Sequence, residues 1–367
     1  MKRIISLILS LALICTITCG CSYAYKSSES STLNSESTGL KVHFIDVGQG
    51  DSILVESFGR FALIDGGEYS EKDTVISYLS EYGVKKLDYV FCTHPHSDHC
   101  GGLSEVIRTY TPAMFISPDA DSDSDSWNYT LDAADERNVT YETPDFNSVY
   151  KVGEATITVL SPATDALYSD LNNYSLVCMV QYLSSKILLT GDAGTLVEDE
   201  LIRKGVDLSA DILKCGHHGS SSSTSGAFLK AVSPSAAVIS CGEGNKYGHP
   251  HDETLDILTK HNIPLMRTDT LGDITVTCDG KLIEISTALG EVTHIKPKNP
   301  TANTTASSQP ETYTAVETFY FGNKNSKVFH KSDCSSVYNM KKENKVELSS
   351  RDDAISQGYK PCGNCNP

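Results

Sequence analysis

Three imidazoles and a carboxylate crowd into six positions at His94-Pro95-His96-Ser97-Asp98-His99. Each of these side chains can offer a lone pair to a divalent cation, and zinc takes such nitrogen and oxygen donors at about 2.0–2.2 Å. A solvated polar loop does not explain four ligand-type residues at that density. A second donor set stands near the other end of the chain, where His330-x3-Cys334 and Cys362-x-x-Cys365 together supply one tetrahedral site. Three cysteines cannot all pair internally, so structural zinc accounts for the set better than a disulfide or redox role.

The elements that must position these residues read as follows. The apolar run Leu87–Thr93 is a strand that delivers the first cluster, and a helical period over 103–110 follows Gly101-Gly102, so the cluster occupies one tight connection at a sheet edge. Further strand-like runs are Val42–Val47, Ser52–Glu56, Phe61–Ile64, Thr156–Leu160, Leu176–Tyr182, Lys186–Leu189, Ile212–Cys215, Ala237–Cys241 and Ile274–Cys278. Helical periods fall at about 71–83, 195–204, 225–232 and 253–261. Strands that first meet as hairpins and later alternate with helices predict two sheets with helices on their outer faces, compatible with a four-layer αββα sandwich of the α/β class.

Two polar breaks divide the chain. Met1-Lys2-Arg3, the apolar stretch Ile4–Ile17 and the small-residue exit Thr18-Cys19-Gly20-Cys21 read as a secretory signal over 1–21. Gly20-Cys21 resembles a bacterial lipobox, which makes Cys21 a candidate lipidation site and predicts a membrane anchor on the extracellular face; cleavage near Ala24 with release is the alternative. The apolar run is short for a spanning helix, which disfavours an uncleaved anchor. Residues 22–39 are Ser-rich and read as a flexible tether, and 293–316 have the Thr, Asn, Ser and Pro content of a linker. A body of 40–292 and a tail of 317–367 remain. The net charge of −17 excludes a broad electrostatic footprint for polyanions, so any phosphate contact must be local and metal-mediated. Cysteines 92, 100, 178, 215, 241 and 278 stand singly in apolar surroundings and read as core thiols. The alternating acids of 119–125 lack the Gly and terminal Glu of a calcium loop and read as solvated.

The HxHxDH segment resembles the metallo-β-lactamase superfamily. By that resemblance Asp65, in Phe61-Ala-Leu-Ile-Asp65-Gly-Gly, supports the site; Asp192, in Thr190-Gly-Asp192-Ala, bridges two metals; and His217 or His218 supplies a final ligand. His94 and His96 would hold one metal, and Asp98, His99 and the late histidine the other. The family's usual further histidine has no counterpart, because none occurs between His99 and His217. In its place stands Leu171-Asn-Asn173-Tyr-Ser175-Leu-Val, which makes lactamase, lactonase and glyoxalase activities less expected and allows a weaker or manganese-preferring first site. Together with that segment, Phe44-Ile-Asp-Val-Gly-Gln-Gly-Asp-Ser52, His-His-Gly-Ser220 and Tyr247-Gly-His249-Pro250 look like the hydrolase domain of the ComEC family of DNA-uptake proteins, over about 40–290. No other apolar run matches the channel of that family, so a stand-alone secreted relative is expected. The tail resembles the small zinc-binding domain of Ada, with His330 where that family generally has Cys.

The resemblance implies two divalent ions, zinc or manganese, in the body and one structural zinc in the tail. It implies hydrolysis of a phosphodiester, with extracellular DNA as a candidate, by a water that the metal acidifies. Asp98 or a neighbouring histidine would orient that water, and His249 is a further catalytic candidate that could also bind metal or cap a loop. Lys214 reads either as an attractor of anions or as a snorkelling surface lysine. Asp46 and Asp51 either hold the Gly48–Gly50 turn or act in the site. Hydrolysis of another ester or amide, such as a choline phosphoester or cell-wall fragment, and a non-catalytic surface binding role remain as alternatives. No protein partner is deducible.

Overall fold

The computed structural model describes residues 39–120, 122–162, 167–298, 320–331, 334–338, 340–341, 344–348, 350–363 and 365. The expected signal of 1–21 with Cys21, residues 22–38 of the tether and 299–316 of the linker lie outside them.

Side-chain alternation along the strands sets the architecture. In β1 (Leu40–Phe44), β2 (Ile53–Ser57) and β3 (Arg60–Ile64), the residues Leu40, Val42, Phe44, Ile53, Val55, Ala62 and Ile64 enter one buried cluster. The alternate residues Leu54 and Leu63 enter another. Both faces are therefore covered. These strands pair antiparallel, and β3 continues in parallel to β4 (Tyr89–Phe91), β5 (Met114–Ile116) and β6 (Thr140–Glu142).

The second sheet repeats that plan. β7 (Val149–Val152), β8 (Ala155–Ser161), β9 (Val177–Tyr182) and β10 (Ser185–Leu189) run antiparallel, and β10 continues in parallel to β11 (Ile212–Lys214), β12 (Ala236–Ile239) and β13 (Leu265–Arg267). The chain then returns to the first sheet through β14 (Ile274–Cys278), which pairs with β1, followed by β15 (Ile283–Thr287) and β16 (Val292–Ile295). The sheets have nine and seven strands.

Parallel neighbours cannot be joined by a tight turn, so each needs a crossover. Helices α1 (Lys72–Glu81), α3 (Leu103–Tyr110) and α4 (Asp125–Glu136) supply them in the first sheet, with the single turn α2 (Ser97–Cys100) between the first two. In the second sheet the crossovers are α5 (Thr195–Arg203), α6 (Gly226–Val232) and α7 (Asp252–Lys260), with the short α8 (Thr268–Leu271) before the return. Val75, Leu79, Leu103, Val106, Trp127 and Ala133 pack on the outer face of the first sheet. Val197, Leu201, Phe228, Leu229, Val232 and Leu258 pack on that of the second. The inner faces meet in one large apolar cluster, which gives the four-layer αββα sandwich.

Several elements differ from the sequence reading. α4 follows directly on the acidic stretch expected to be solvated: Ser124 accepts from Trp127 N at 3.3 Å as its N-cap, and Asp125 stands in the first turn, where the helix dipole favours an acid. Asp121 of that stretch is outside the described residues. The linker expected from 293 starts later, because Val292–Ile295 pairs with β15 and Lys298 N donates to Asp211 Oδ1 at 2.6 Å. The six body cysteines are free and buried. Among the described residues no helix is long and apolar enough to cross a membrane.

The tail forms a third sheet of β17 (Tyr320–Asn323), β18 (Val328–Lys331), β19 (Lys345–Leu348) and β20 (Lys360–Pro361), in the order β19-β17-β18-β20. Helices α9 (Ser335–Tyr338) and α10 (Arg351–Ser356) accompany it, and Phe329, Leu348, Ala354 and Tyr359 form its small core.

Candidate functional site

Ligands of open α/β sheets gather at the carboxyl ends of parallel strands, and both sheets bring theirs to one edge of the sandwich. Asp65 follows β3, His94 follows β4, Asp192 follows β10, and His217 and His218 follow β11. Glycine makes the close approaches there. A Cβ at Gly50, whose φ is +143°, would collide with Asp98 O, and one at Gly102 would collide with Gly66 O. The connections before β2 and after β3 can therefore lie directly against the HxHxDH turn, and Asp51 N donates to Asp98 O at 3.1 Å.

Asp65 is the organiser. It is fully buried at a φ of 61°, a conformation uncommon for a residue with a side chain. Its carboxylate accepts from Thr93 N at 2.7 Å, from Thr93 Oγ1 at 2.7 Å and from His99 Nδ1 at 2.8 Å. His218 is fixed in the same way, with Nδ1 at 3.0 Å from Ser240 O. With Nδ1–H committed to an acceptor, Nε2 is the nitrogen whose lone pair each neutral imidazole offers. Those two Nε2 atoms lie 3.3 Å apart, an approach that two acceptors cannot stabilise by hydrogen bonding to each other.

Around that pair the remaining donors converge. Asp192 Oδ1 lies 3.3 Å from His99 Nε2, and Asp192 Oδ2 lies 3.5 Å from His218 Nε2 and 3.9 Å from His94 Nε2. Asp98 Oδ2 is 3.3 Å from His218 Nε2, and His96 Nδ1 is 3.0 Å from His94 Nε2. Buried Asp192 Oδ1 has no hydrogen-bond donor among the described residues. The sets His94–His99–Asp192, Asp98–His99–His218 and Asp51–Asp192–His218 each bring their ligand atoms within 4.8 Å of one another. A buried carboxylate oxygen without a donor, amid imidazole nitrogens gathered around it, fits divalent cations.

The late histidines separate. His218 is buried among these donors, whereas the His217 side chain is 27% exposed, with Nε2 at 3.8 Å from Asp192 Oδ2 and Nδ1 at 3.0 Å from Ser222 Oγ. Both have left-handed backbones, at φ 50° and 52°, so the turn is strained to present two adjacent imidazoles. Ser175 stands where the further histidine was missed in the sequence. Its Oγ lies 3.3 Å from His94 Nδ1 and accepts from Asp192 N at 2.9 Å. Asn173 Oδ1 accepts from Gly194 N at 3.2 Å, so it supports the Asp192 loop.

Lys214 is neither a snorkelling lysine nor an exposed attractor. It is fully buried, and its Nζ lies 2.7 Å from Asp51 Oδ2, which ties the two sheets beneath the histidines. Asp46 holds the turn by accepting from Gly48 N at 3.1 Å. The role of Asp51 was left open by its sequence, which shows only an acid after a glycine turn, and Thr93 and the Ser240 carbonyl had no signal at all. His249 lies at the rim, with its ring centroid 5.4 Å from that of His217 and Nδ1 at 3.5 Å from Gln49 Nε2.

Charge is divided unequally among these groups. Burial depresses His94 well below its ordinary value, and the neighbouring His99 adds to this. Burial acts on His99 in the same direction, but Asp192 and Asp65 outweigh it and hold His99 well above its ordinary value, so a cation taken up at its Nε2 would displace a proton there. Burial would raise Asp192, yet His218 and His99 keep it well below the usual carboxylate range. Partial burial, followed by His217 and His218, lowers His249 to about 4.

In the tail, His330, Cys334, Cys362 and Cys365 bring one ligand atom each within 4.8 Å of one another, and His330 Nδ1 is 3.3 Å from Cys334 Sγ. One imidazole and three thiolates gathered at the edge of a small sheet suit one tetrahedral zinc.

Residues 45–243 match the family model of the metallo-beta-lactamase superfamily, and residues 307–367 match that of the metal binding domain of Ada. ComE operon protein 3 of Bacillus subtilis is 32% identical over 252 residues, which cover 64% of this chain and 32% of that protein. Competence protein ComA of Neisseria gonorrhoeae is 33% identical over 229 residues, covering 62% and 30%. The chain thus spans about a third of the length of these ComEC-type relatives. Among solved structures, the metallo-beta-lactamase fold protein YhfI of Bacillus subtilis is 14% identical with a TM-score of 0.43, covering 62% of this chain and 96% of YhfI. With the sandwich, the histidine-rich edge and a family model matching over half its length, this chain belongs to the metallo-β-lactamase superfamily, as a metal-dependent hydrolase domain followed by an Ada-like zinc-binding domain.

Proposed function

We propose that the chain is a phosphodiesterase of the ComEC type that acts outside the cytoplasm, held at the membrane through lipidated Cys21, with DNA as its candidate substrate. The observation that carries the reading is the convergence of His99 Nε2 and His218 Nε2 on Asp192, with both tautomers fixed from behind by Asp65 and Ser240. His94 and His96 would hold one ion and Asp98 and His218 the other, with His99 and Asp192 within reach of both. Bound zinc or manganese supplies a Lewis acid and lowers the pKa of water toward neutrality. Asp98, the most open of the ligand acids, would orient such a water, and His217 and His249 line the mouth where a phosphate would sit. The body's acidity favours a substrate gripped at a few phosphates rather than along a tract.

The test is metal content together with hydrolysis of single-stranded DNA, double-stranded DNA and a simple phosphodiester, by the purified chain with added manganese or zinc. Asp192→Asn should lower turnover by at least about 100-fold and reduce bound metal while the circular dichroism spectrum is retained. Unchanged turnover in that variant would refute the mechanism. Cleavage of only the small diester would keep the chemistry and remove DNA; metal without turnover of any phosphodiester would point to another ester or amide, or to a binding role.

A further inference from the structure

We infer that Tyr247, together with Lys246, is a stacking platform for an unpaired nucleobase at the mouth of the site, so that the substrate is a single strand; the inference rests on the phosphodiesterase reading above. Tyr247 sits in the turn between β12 and α7, and Asn245 ties that turn together. Asn245 Oδ1 accepts from Tyr247 N at 3.2 Å and from His249 N at 3.0 Å, and its Nδ2 donates to Gly242 O at 2.9 Å and to His249 O at 2.6 Å. Gln49 Oε1 accepts from Gly242 N at 3.3 Å, which fastens the turn to the first sheet. The backbone is thus well fixed, yet the Tyr247 side chain it presents is 52% exposed.

The ring is also aligned with the site. Tyr247 stacks on His249 at 5.6 Å and 22°, His249 on His218 at 6.3 Å and 29°, and His218 tilts over His99 at 5.2 Å and 37°. A staircase of rings therefore runs from the buried donor cluster to solvent and ends on Tyr247. Lys246 Nζ hovers 4.9 Å from the Tyr247 ring centroid. A planar base extends the staircase outward by displacing that flexible ammonium, which then meets the phosphate attached to the base. Every nucleobase has a π-face, so such a platform tolerates sequence. In a duplex both faces of each internal base are already covered, and the net charge of −17 works against the many phosphate contacts that duplex affinity requires.

The experiment is fluorescence anisotropy of the full chain with two labelled, cleavage-resistant phosphorothioate strands of equal length, one an oligothymidylate and one abasic. Wild type should prefer the base-bearing strand. Tyr247→Ala should weaken it by about 5- to 100-fold and leave the abasic strand within about twofold. Tyr247→Trp should retain binding and show quenched emission on adding oligothymidylate; the chain's single tryptophan, Trp127, is buried on the inner face of α4 and serves as the internal control. Equal binding of the two strands by wild type, or an unchanged oligothymidylate affinity in Tyr247→Ala, overturns the platform even if phosphodiesters are hydrolysed. Tyr247-dependent binding of a cell-wall oligosaccharide in place of oligothymidylate also overturns it, because the ring then serves a sugar. Absence of hydrolysis of every phosphodiester, by contrast, removes the underlying reading, and the binding data are independent of that outcome.

Discussion

Asp65 touches no position where the Nε2 atoms converge, yet it sets the orientation of one of them. Its carboxylate holds Thr93 twice and His99 Nδ1 once, so Asp65→Asn replaces an acceptor with an amide that can face His99 with a donor. Outer groups of this kind typically change metal affinity by about 10- to 100-fold. We expect Asp65→Asn to lower the affinity of the body for zinc within that range, measured by competition with a chromogenic chelator, with the tail's own zinc unchanged. At this scale much was legible: the HxHxDH spacing marks its own chemistry, and Asp192 follows a strand in a recognisable turn. The choice between His217 and His218 was not legible, since adjacent identical side chains differ only in backbone turn and in the partner behind them. For His218 that partner is a carbonyl 22 residues away, which no local pattern reveals.

Among the elements, α5 has an unusual task. Glu198 on its inner side is buried and accepts from the backbone N–H of Thr224 and, at 2.9 Å, of Ser225, which anchors the far end of the loop that begins with His217. Burial outweighs those donors and raises the carboxyl to about 7 from an ordinary 4.5. Because the folded chain keeps this proton after the unfolded chain has lost it, the contribution of Glu198 to stability is fully present below about pH 4.5 and is lost as pH rises through about 7. Comparing urea unfolding at pH 5 and pH 7.5, Glu198→Gln should remove on the order of 2–3 kcal/mol of the wild-type decline, although the amide fits two N–H donors less well. An equal decline in both proteins would show that other groups set the slope. The helix at 103–110 and the strand Ile274–Cys278 were readable because apolar side chains recur at the period of the element. α4 escaped because its buried face is Trp127, Thr130, Ala133 and Ala134, mostly small or polar. β5 and β6, at three residues each, are too short to display an alternation.

At the scale of the whole molecule, the two sheets meet through an apolar interface with a fully buried lysine beneath the histidines, Lys214 paired to Asp51 across the gap. Removing one partner of such a pair leaves an uncompensated buried charge and costs about 3–5 kcal/mol, whereas replacing both with apolar residues is often neutral. We expect Lys214→Met alone to lose stability in that range by urea denaturation and Asp51→Leu/Lys214→Met to recover most of it. A double variant no more stable than the single would mean that Asp51 is neutral in the fold. The layered plan itself was legible from the order of strand and helix periods. The return of β14 to the edge of the first sheet was not, because nothing local in Ile274–Cys278 names β1 as its neighbour.

The donor cluster is divided between those sheets. His94, His96, Asp98 and His99 come with the first, and Asp192, His217 and His218 with the second. The sets His94–His99–Asp192, Asp98–His99–His218 and Asp51–Asp192–His218 each draw on both halves, so a chain with only one half folded lacks all three of them. Ions held there would act as rivets at the open edge of the sandwich, where no covalent cross-link helps, since the body cysteines are all free. Loading of the site and mechanical closure of that edge would then be one event, and a chain stripped of its ions should breathe there first.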